Sequence, residues 1–146
     1  MRLSLAEAER AAVDGEVPVG AVLVVGGEVV ASSRNARQQS HDPTAHAEVL
    51  LLRQGFKGSW HFEDATLYVT KEPCVMCCGA MVNARLGRLV YGCPDEKGGG
   101  LSIYGLLTDG RLNHRVEVTS GVLEEECAQV LKRFFIARRG AHDADG

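Results

Sequence analysis

No stretch of eighteen consecutive apolar residues occurs in this 146-residue chain, so nothing in it is long enough to span a bilayer as a helix. A secretory leader is not expected either. Residues 1–14 place Arg2, Glu7, Glu9, Arg10 and Asp14 among the apolar positions, which reads as an amphipathic helix, whereas a signal peptide needs an uninterrupted apolar core. There is no surplus of positive charge: 16 Lys+Arg stand against 19 Asp+Glu, for a formal net charge of −3. That excludes a basic coat for nucleic acid over the whole surface and leaves room for a local patch. Internal repeats, low-complexity tracts and a linker long enough to divide domains are absent. The expectation is one domain over residues 1–146, cytoplasmic, with no membrane partner and a tail that frays over residues 141–146.

What is present is an ordinary globular composition, 45% hydrophobic and 24% charged. A domain of this length buries about 68–70% of its unfolded surface and needs no disulfide staples. It nevertheless holds five cysteines, an odd number, and Cys74, Cys77 and Cys78 crowd together. Without a secretory signal, such crowding points to metal or redox chemistry rather than to a disulfide framework.

The pattern predicts a helix over Met1–Asp14 stopped by Gly15, then two extended runs, Val19–Val25 and Glu28–Ser33. Gly26-Gly27 between them is a hairpin signal, because a tight turn needs positive φ. Asp42 and Pro43 read as cap and first turn of a second helix running to Arg53. Ala65–Thr70 alternates as a strand, Cys74–Ala84 is a third helix and Arg88–Tyr91 a short strand. Cys93–Gly100 reads as loop, Leu101–Leu107 as a short helix and Arg115–Thr119 as a strand. Val122–Arg139 is a long terminal helix with Leu123, Cys127, Val130, Leu131 and Phe134 on one buried stripe. This order predicts an α/β domain, a mixed sheet covered by helices on both faces.

Chemistry concentrates in His46-Ala47-Glu48 and, after 24 intervening residues, Pro73-Cys74-Val75-Met76-Cys77. Two Cys three apart on the first turn of a helix aim their sulfurs to one side, and the helix N-terminus favours the thiolate. One imidazole completes a His-Cys-Cys set that suits zinc and leaves a fourth tetrahedral position for water. Bound zinc lowers the pKa of that water to about 7. Glu48, about 200° round a helix from His46, is poorly placed as a ligand and well placed to move a proton beside the water. A structural zinc would want a fourth ligand, yet no second C-x-x-C or H-x-x-H exists, and Cys78 is turned about 100° from Cys77. A redox pair alone leaves the His-Ala-Glu segment unexplained.

These segments resemble the zinc-dependent cytidine-deaminase superfamily, whose signature is H-x-E…P-C-x-x-C. The resemblance extends to the bacterial tRNA adenosine deaminase family through Glu16–Ala21, Asn35, Asp42–Glu48, Thr66–Thr70, Glu72–Cys77, Gly79–Met81, Leu112–Glu117 and Phe134-Phe135. It thus covers nearly all of Leu3–Arg139. It implies a three-layer α/β/α fold around a roughly five-stranded sheet, and a homodimer whose subunits jointly shape each site. The implied reaction converts adenosine to inosine at the wobble position of a tRNA anticodon stem-loop, releasing ammonia. Zinc, one per subunit, would sit on His46, Cys74 and Cys77, with hydroxide attacking C6 while Glu48 relays protons. The resemblance also makes Asn35, Asp95, Lys97, Phe135, Arg138 and Arg139 candidate substrate contacts.

Departures from the family pattern are Cys78, where a small residue is usual, and Gly98-Gly99-Gly100, which lacks the setting of a phosphate loop and reads as a hinge. Lys132, Arg133, Arg138 and Arg139 fit either an RNA contact or a solvated helix end. Phe135, off the buried stripe, either stacks on a base or lines the sheet. His41, His61, His114 and His142 read as surface or local hydrogen-bonding residues. Two rival functions stay open: a deaminase of free nucleobases or nucleosides, and a zinc-stabilised interaction module without catalysis.

Overall fold

The computed structural model describes residues 1–55 and 58–145. Helix α1 (Arg2–Val13) is followed by strands β1 (Gly20–Val25) and β2 (Glu28–Arg34), a single turn α2 (Arg37–Ser40) and helix α3 (Ala47–Gln54). Strand β3 (Ala65–Lys71), helix α4 (Val75–Asn83), strands β4 (Arg88–Cys93) and β5 (Glu117–Thr119) and helix α5 (Glu124–Asp145) complete the chain. The sheet order is β2-β1-β3-β4-β5. Antiparallel pairing joins β1 to both β2 and β3, and parallel pairing joins β3, β4 and β5. This is the mixed five-stranded sheet that the pattern and the resemblance predict.

The hairpin forms because Gly26 and Gly27 adopt φ of +58° and +80°, the pair of positive values that matches the twist of the flanking strands. Helix α3 packs against β1, β2 and α4 on one face of the sheet, while α1 and α5 pack against β1, β4 and each other on the opposite one. Leu23, Leu67, Val69, Leu89, Leu51 and Met81 make up the centre of the core, each fully buried. No helix among the described residues is long and apolar enough to cross a membrane.

Several boundaries differ from expectation, each for a local reason. The second helix begins at Ala47 and not at Asp42. The Asp42 carboxylate is spent on Thr44, accepting from its N–H (2.8 Å) and its hydroxyl (2.7 Å), an Asx-turn that replaces a helix cap. Leu101–Leu107 forms successive turns in place of a helix, because Gly105 and Leu107 hold φ of +65° and +76°. The terminal helix starts later, after Leu123 at φ +53°, and runs through residues 141–145, which the sequence reading left outside it. Gly146, the last residue of that expected tail, lies outside the described residues.

Candidate metal centre and active site

Three helix and strand ends converge at the carboxyl end of β3. His46 occupies the position just before α3, with extended backbone (φ −76°, ψ 148°), and Cys74 occupies the same position before α4 (φ −75°, ψ 177°). Asn35, immediately after β2, fixes the first of these. Its Oδ1 accepts from the Ala47 N–H (2.8 Å), its Nδ2 donates to the Val17 carbonyl (3.1 Å), and the Ser33 hydroxyl donates to the Ala47 carbonyl. The start of α3 is thereby tied to the edge of the sheet that ends beside it.

The donor atoms form a compact triangle. Cys74 Sγ lies 3.6 Å from His46 Nδ1 and 3.7 Å from Cys77 Sγ, and Cys77 Sγ lies 3.5 Å from His46 Nδ1. Bond lengths of 2.3 Å to sulfur and 2.0–2.1 Å to nitrogen at tetrahedral angles require edges of about 3.8 Å between sulfurs and about 3.6 Å from sulfur to nitrogen. The three residues therefore fit a tetrahedral ion such as zinc at three corners, with the fourth left to another ligand. They are the one cluster of potential metal ligands of this kind among the described residues. Cys78 is turned away, fully buried, with its thiol 3.7 Å from the Pro73 carbonyl.

The electrostatics of the triangle are uneven. Its hydrogen bond to Cys77 holds the Cys74 thiol at a pKa of about 3, against the opposing effect of burial and with help from His46. Cys77 is driven the other way by that same sulfur–sulfur contact and by burial. The hydrogen bond to Cys74 raises His46 although burial lowers it. Glu48, on the first turn of α3 and 4% exposed, has its carboxyl pKa raised by burial, partly offset by hydrogen bonds to its own backbone and to Cys77. A buried carboxyl whose pKa is raised and that touches the Cys77 thiol is suited to exchange protons.

A cavity of about 200 Å³ opens over this group. Val17, Val19 and Asn35 line it from the β1–β2 side, Arg37, His46 and Glu48 from α2–α3, and Lys71, Glu72, Cys74, Asp95 and Phe135 from the other side. Its volume falls below the 300–1,000 Å³ typical of drug-sized ligands. Of the residues expected at the substrate, Asn35, Asp95 and Phe135 form its wall, and Phe135 therefore reaches the groove. Lys97 does not; it lines a neighbouring groove with Cys93, Glu124 and Leu131. Arg138 and Arg139 lie further along α5, where the Arg138 guanidinium sits 6.0 Å from the centre of the Phe134 ring.

Lys71, Arg37 and Glu72 were missed. Lys71 and Glu72 directly precede Pro73-Cys74, and a charged pair following an otherwise uncharged strand was the available signal. Arg37 carried none, since the turn that presents it has no apolar periodicity. The hinge reading of residues 98–100 is corrected: Gly99 pairs with Cys74, and the Gly100 N–H donates to the Pro73 carbonyl at 2.8 Å. Of the histidines, His61 pairs with Glu63 two positions on (3.1 Å), a local partner as expected, while His114 bonds the Leu86 carbonyl (2.7 Å), 28 positions earlier in the chain.

Fold and site together define a cytidine-deaminase-like protein: a mixed five-stranded sheet between helices, with a His-Cys-Cys triangle and a buried glutamate at the strand ends. The chain belongs to the MafB19-like deaminase family, whose model matches residues 1–139, and to the tRNA-specific adenosine deaminases. It is 48% identical over 138 residues to the tRNA-specific adenosine deaminase of Bacillus subtilis (strain 168), covering 92% of this chain and 86% of that one. A structure solved in a study of A-to-I editing by tRNA:A34 deaminases at the wobble position of transfer RNA superposes with a TM-score of 0.86. It shares 42% identity and covers 90% of this chain and 97% of its own. The guanine deaminase of Nitrosomonas europaea, 19% identical, shares the fold with a TM-score of 0.74 over 91% of this chain and 81% of its own.

Proposed function

We propose that this chain converts adenosine to inosine at the wobble position of a tRNA anticodon stem-loop, acting as a single domain and as a homodimer in the cytoplasm. The observation that supports it most is the burial of Glu48 against a donor triangle whose edges match tetrahedral zinc. Relatives with the corresponding activity in their names share nearly the whole chain. His46, Cys74 and Cys77 would hold the ion. When bound, zinc supplies Lewis-acid activation, bringing the pKa of a water down to about 7.

The chain's own residues supply the rest. Glu48 takes a proton from the water that adds to C6, passes it to the purine ring nitrogen, and delivers the next to the departing amine, so that adenosine and water become inosine and ammonia. Asn35 retains one Oδ1 lone pair and one Nδ2–H beyond its two structural bonds, and these are available to the edge of the base. Phe135, 40% exposed and on the cavity wall, offers a face for stacking. Asp95 belongs to the same wall of the cavity. Lys97, Arg138 and Arg139 lie outside the cavity and would meet the phosphate backbone of the loop, whose unpaired bases are cheap to splay out.

Single-turnover deamination of an anticodon stem-loop RNA by zinc-loaded protein tests this reading, with free adenosine, cytosine and guanine in parallel. Inosine at the first anticodon position, abolished in Glu48→Gln while one zinc per chain remains bound, is the expected result. Turnover of a free base with an untouched stem-loop would overturn the tRNA assignment. A Glu48→Gln protein with unchanged function would favour the non-catalytic zinc module.

A further inference from the structure

We propose that Glu72 is a positioning residue for this site, a buried carboxylate that clamps residues 95–102 onto the start of α4 and so holds Asp95 as a wall of the substrate cavity. The inference rests on the reading of that cavity as the adenosine site.

A carboxylate only 3% exposed is costly unless its oxygens are hydrogen-bonded. Glu72 meets that cost with backbone donors. Its Oε1 accepts from the Asp95 N–H at 3.1 Å, and its Oε2 from the N–H groups of Leu101 (3.2 Å) and Ser102 (2.9 Å). The Ser102 hydroxyl is 2.9 Å from both oxygens. Three converging backbone N–H groups form an anion-binding concavity, and here the anion belongs to the residue two positions before Cys74. Both ends of the 95–102 segment are held by one side chain.

Space around the carboxylate is filled as tightly as its hydrogen bonds. A Cβ on Gly99 would meet Glu72 Oε2 at 2.0 Å and the Asp95 carbonyl oxygen at 2.6 Å, and one on Gly100 would meet Cys78 Sγ at 2.6 Å. The glycines serve close approach here, not hinge motion. Asp95 is in turn fixed at its side chain, which accepts from the Lys97 and Gly98 N–H groups (3.1 Å each) and pairs with Lys71 Nζ at 3.2 Å. His46, Cys74 and Cys77 are carried by the starts of α3 and α4, and the Gly99–Cys74 pairing and the Gly100 N–H to Pro73 carbonyl bond do not involve the Glu72 side chain. Weakening the clamp therefore releases the substrate wall and leaves the metal ligands in place.

The test compares the zinc-loaded full chain with Glu72→Gln, in which one carboxylate acceptor becomes an NH₂ facing backbone N–H donors. Zinc content, amide hydrogen exchange and steady-state kinetics on the stem-loop RNA are measured together. The expected result is one zinc per chain and exchange at Asp95, Leu101 and Ser102 at least about tenfold faster, with α3 and α4 unchanged. KM should rise at least about fivefold while kcat moves less than about twofold. Ser102→Ala, which removes only the hydroxyl donor, should show the same pattern at smaller size, and it decides the matter if Glu72→Gln does not fold. Unchanged exchange and kinetics would overturn the inference. So would loss of zinc with a matching fall in kcat, which would assign Glu72 to the metal centre. If wild-type protein leaves the stem-loop untouched, the proposed function falls, and exchange at residues 95–102 still decides whether Glu72 is the clamp.

Discussion

Cys74 and Cys77 stand three residues apart, yet their surroundings push their thiols in opposite directions. Cys74, partly exposed at the start of α4, is a thiolate at neutral pH, with a pKa of about 3. Burial pushes Cys78 and Cys127 up to about 12, beyond the range in which a thiol reacts readily. Removing the metal with a chelator and adding iodoacetamide at pH 6 should therefore alkylate Cys74 first and leave Cys78 and Cys127 unmodified, as read by peptide mass. Early labelling of Cys78 would contradict the structure. Asp95 supplies a second expectation. Burial raises its carboxyl pKa, but the charge of Lys71 and the N–H groups of Gly98 and Lys97 outweigh that, and the group is held below its ordinary value. A depressed carboxylate stabilises the fold above its unfolded pKa, about 3.9, and that contribution disappears as pH falls through the folded value. The gap in Tm between wild type and Asp95→Asn should accordingly be constant near pH 6 and shrink below about pH 4.

Short elements were legible in proportion to how local their determinants are. The Gly26-Gly27 hairpin and the α4 start at Pro73-Cys74 depend on neighbouring residues, and both form where expected. The start of α3 does not, because Asp42 folds back on Thr44 and the first helical N–H of this region is satisfied by Asn35, twelve residues earlier in the chain. Asn35→Ala should thus do more than remove a possible base contact. It leaves the buried Ala47 N–H unpaired, at a cost of about 1–3 kcal/mol, measurable by urea denaturation of the zinc-free protein. Asn35→Asp, which keeps the acceptor, should cost less at the helix start. If Asn35→Ala is neutral, Asn35 does not anchor α3.

Across the whole molecule, stability rests on the sheet interior. Leu67 and Leu89 sit on adjacent parallel strands with no exposed surface, and either Leu→Ala change should cost about 2–5 kcal/mol, lowering Tm without altering the order of cysteine reactivity. Sedimentation equilibrium tests the proposed homodimer, for which the expected mass is about twice the 15.7 kDa of one chain. A mass of one chain at micromolar concentration would remove the idea of a jointly shaped site.

The sequence alone determined the class of chemistry. His46, Glu48, Cys74 and Cys77 declare themselves because ligand type and short spacing on helix starts are local properties, and hydrophobic periodicity is enough to order strands and helices into a layered α/β domain. Only the tertiary structure decided which polar residues meet at the cavity. Lys71 and Glu72 find Asp95 and Ser102 through the parallel pairing of β3 with β4 and the return of the following loop. Contacts that span 23 to 30 positions leave no period in a sequence. For the same reason a run of three glycines reads as flexible in one dimension, whereas in three Gly99 leaves room for a buried carboxylate, since a Cβ there would lie 2.0 Å from Glu72 Oε2.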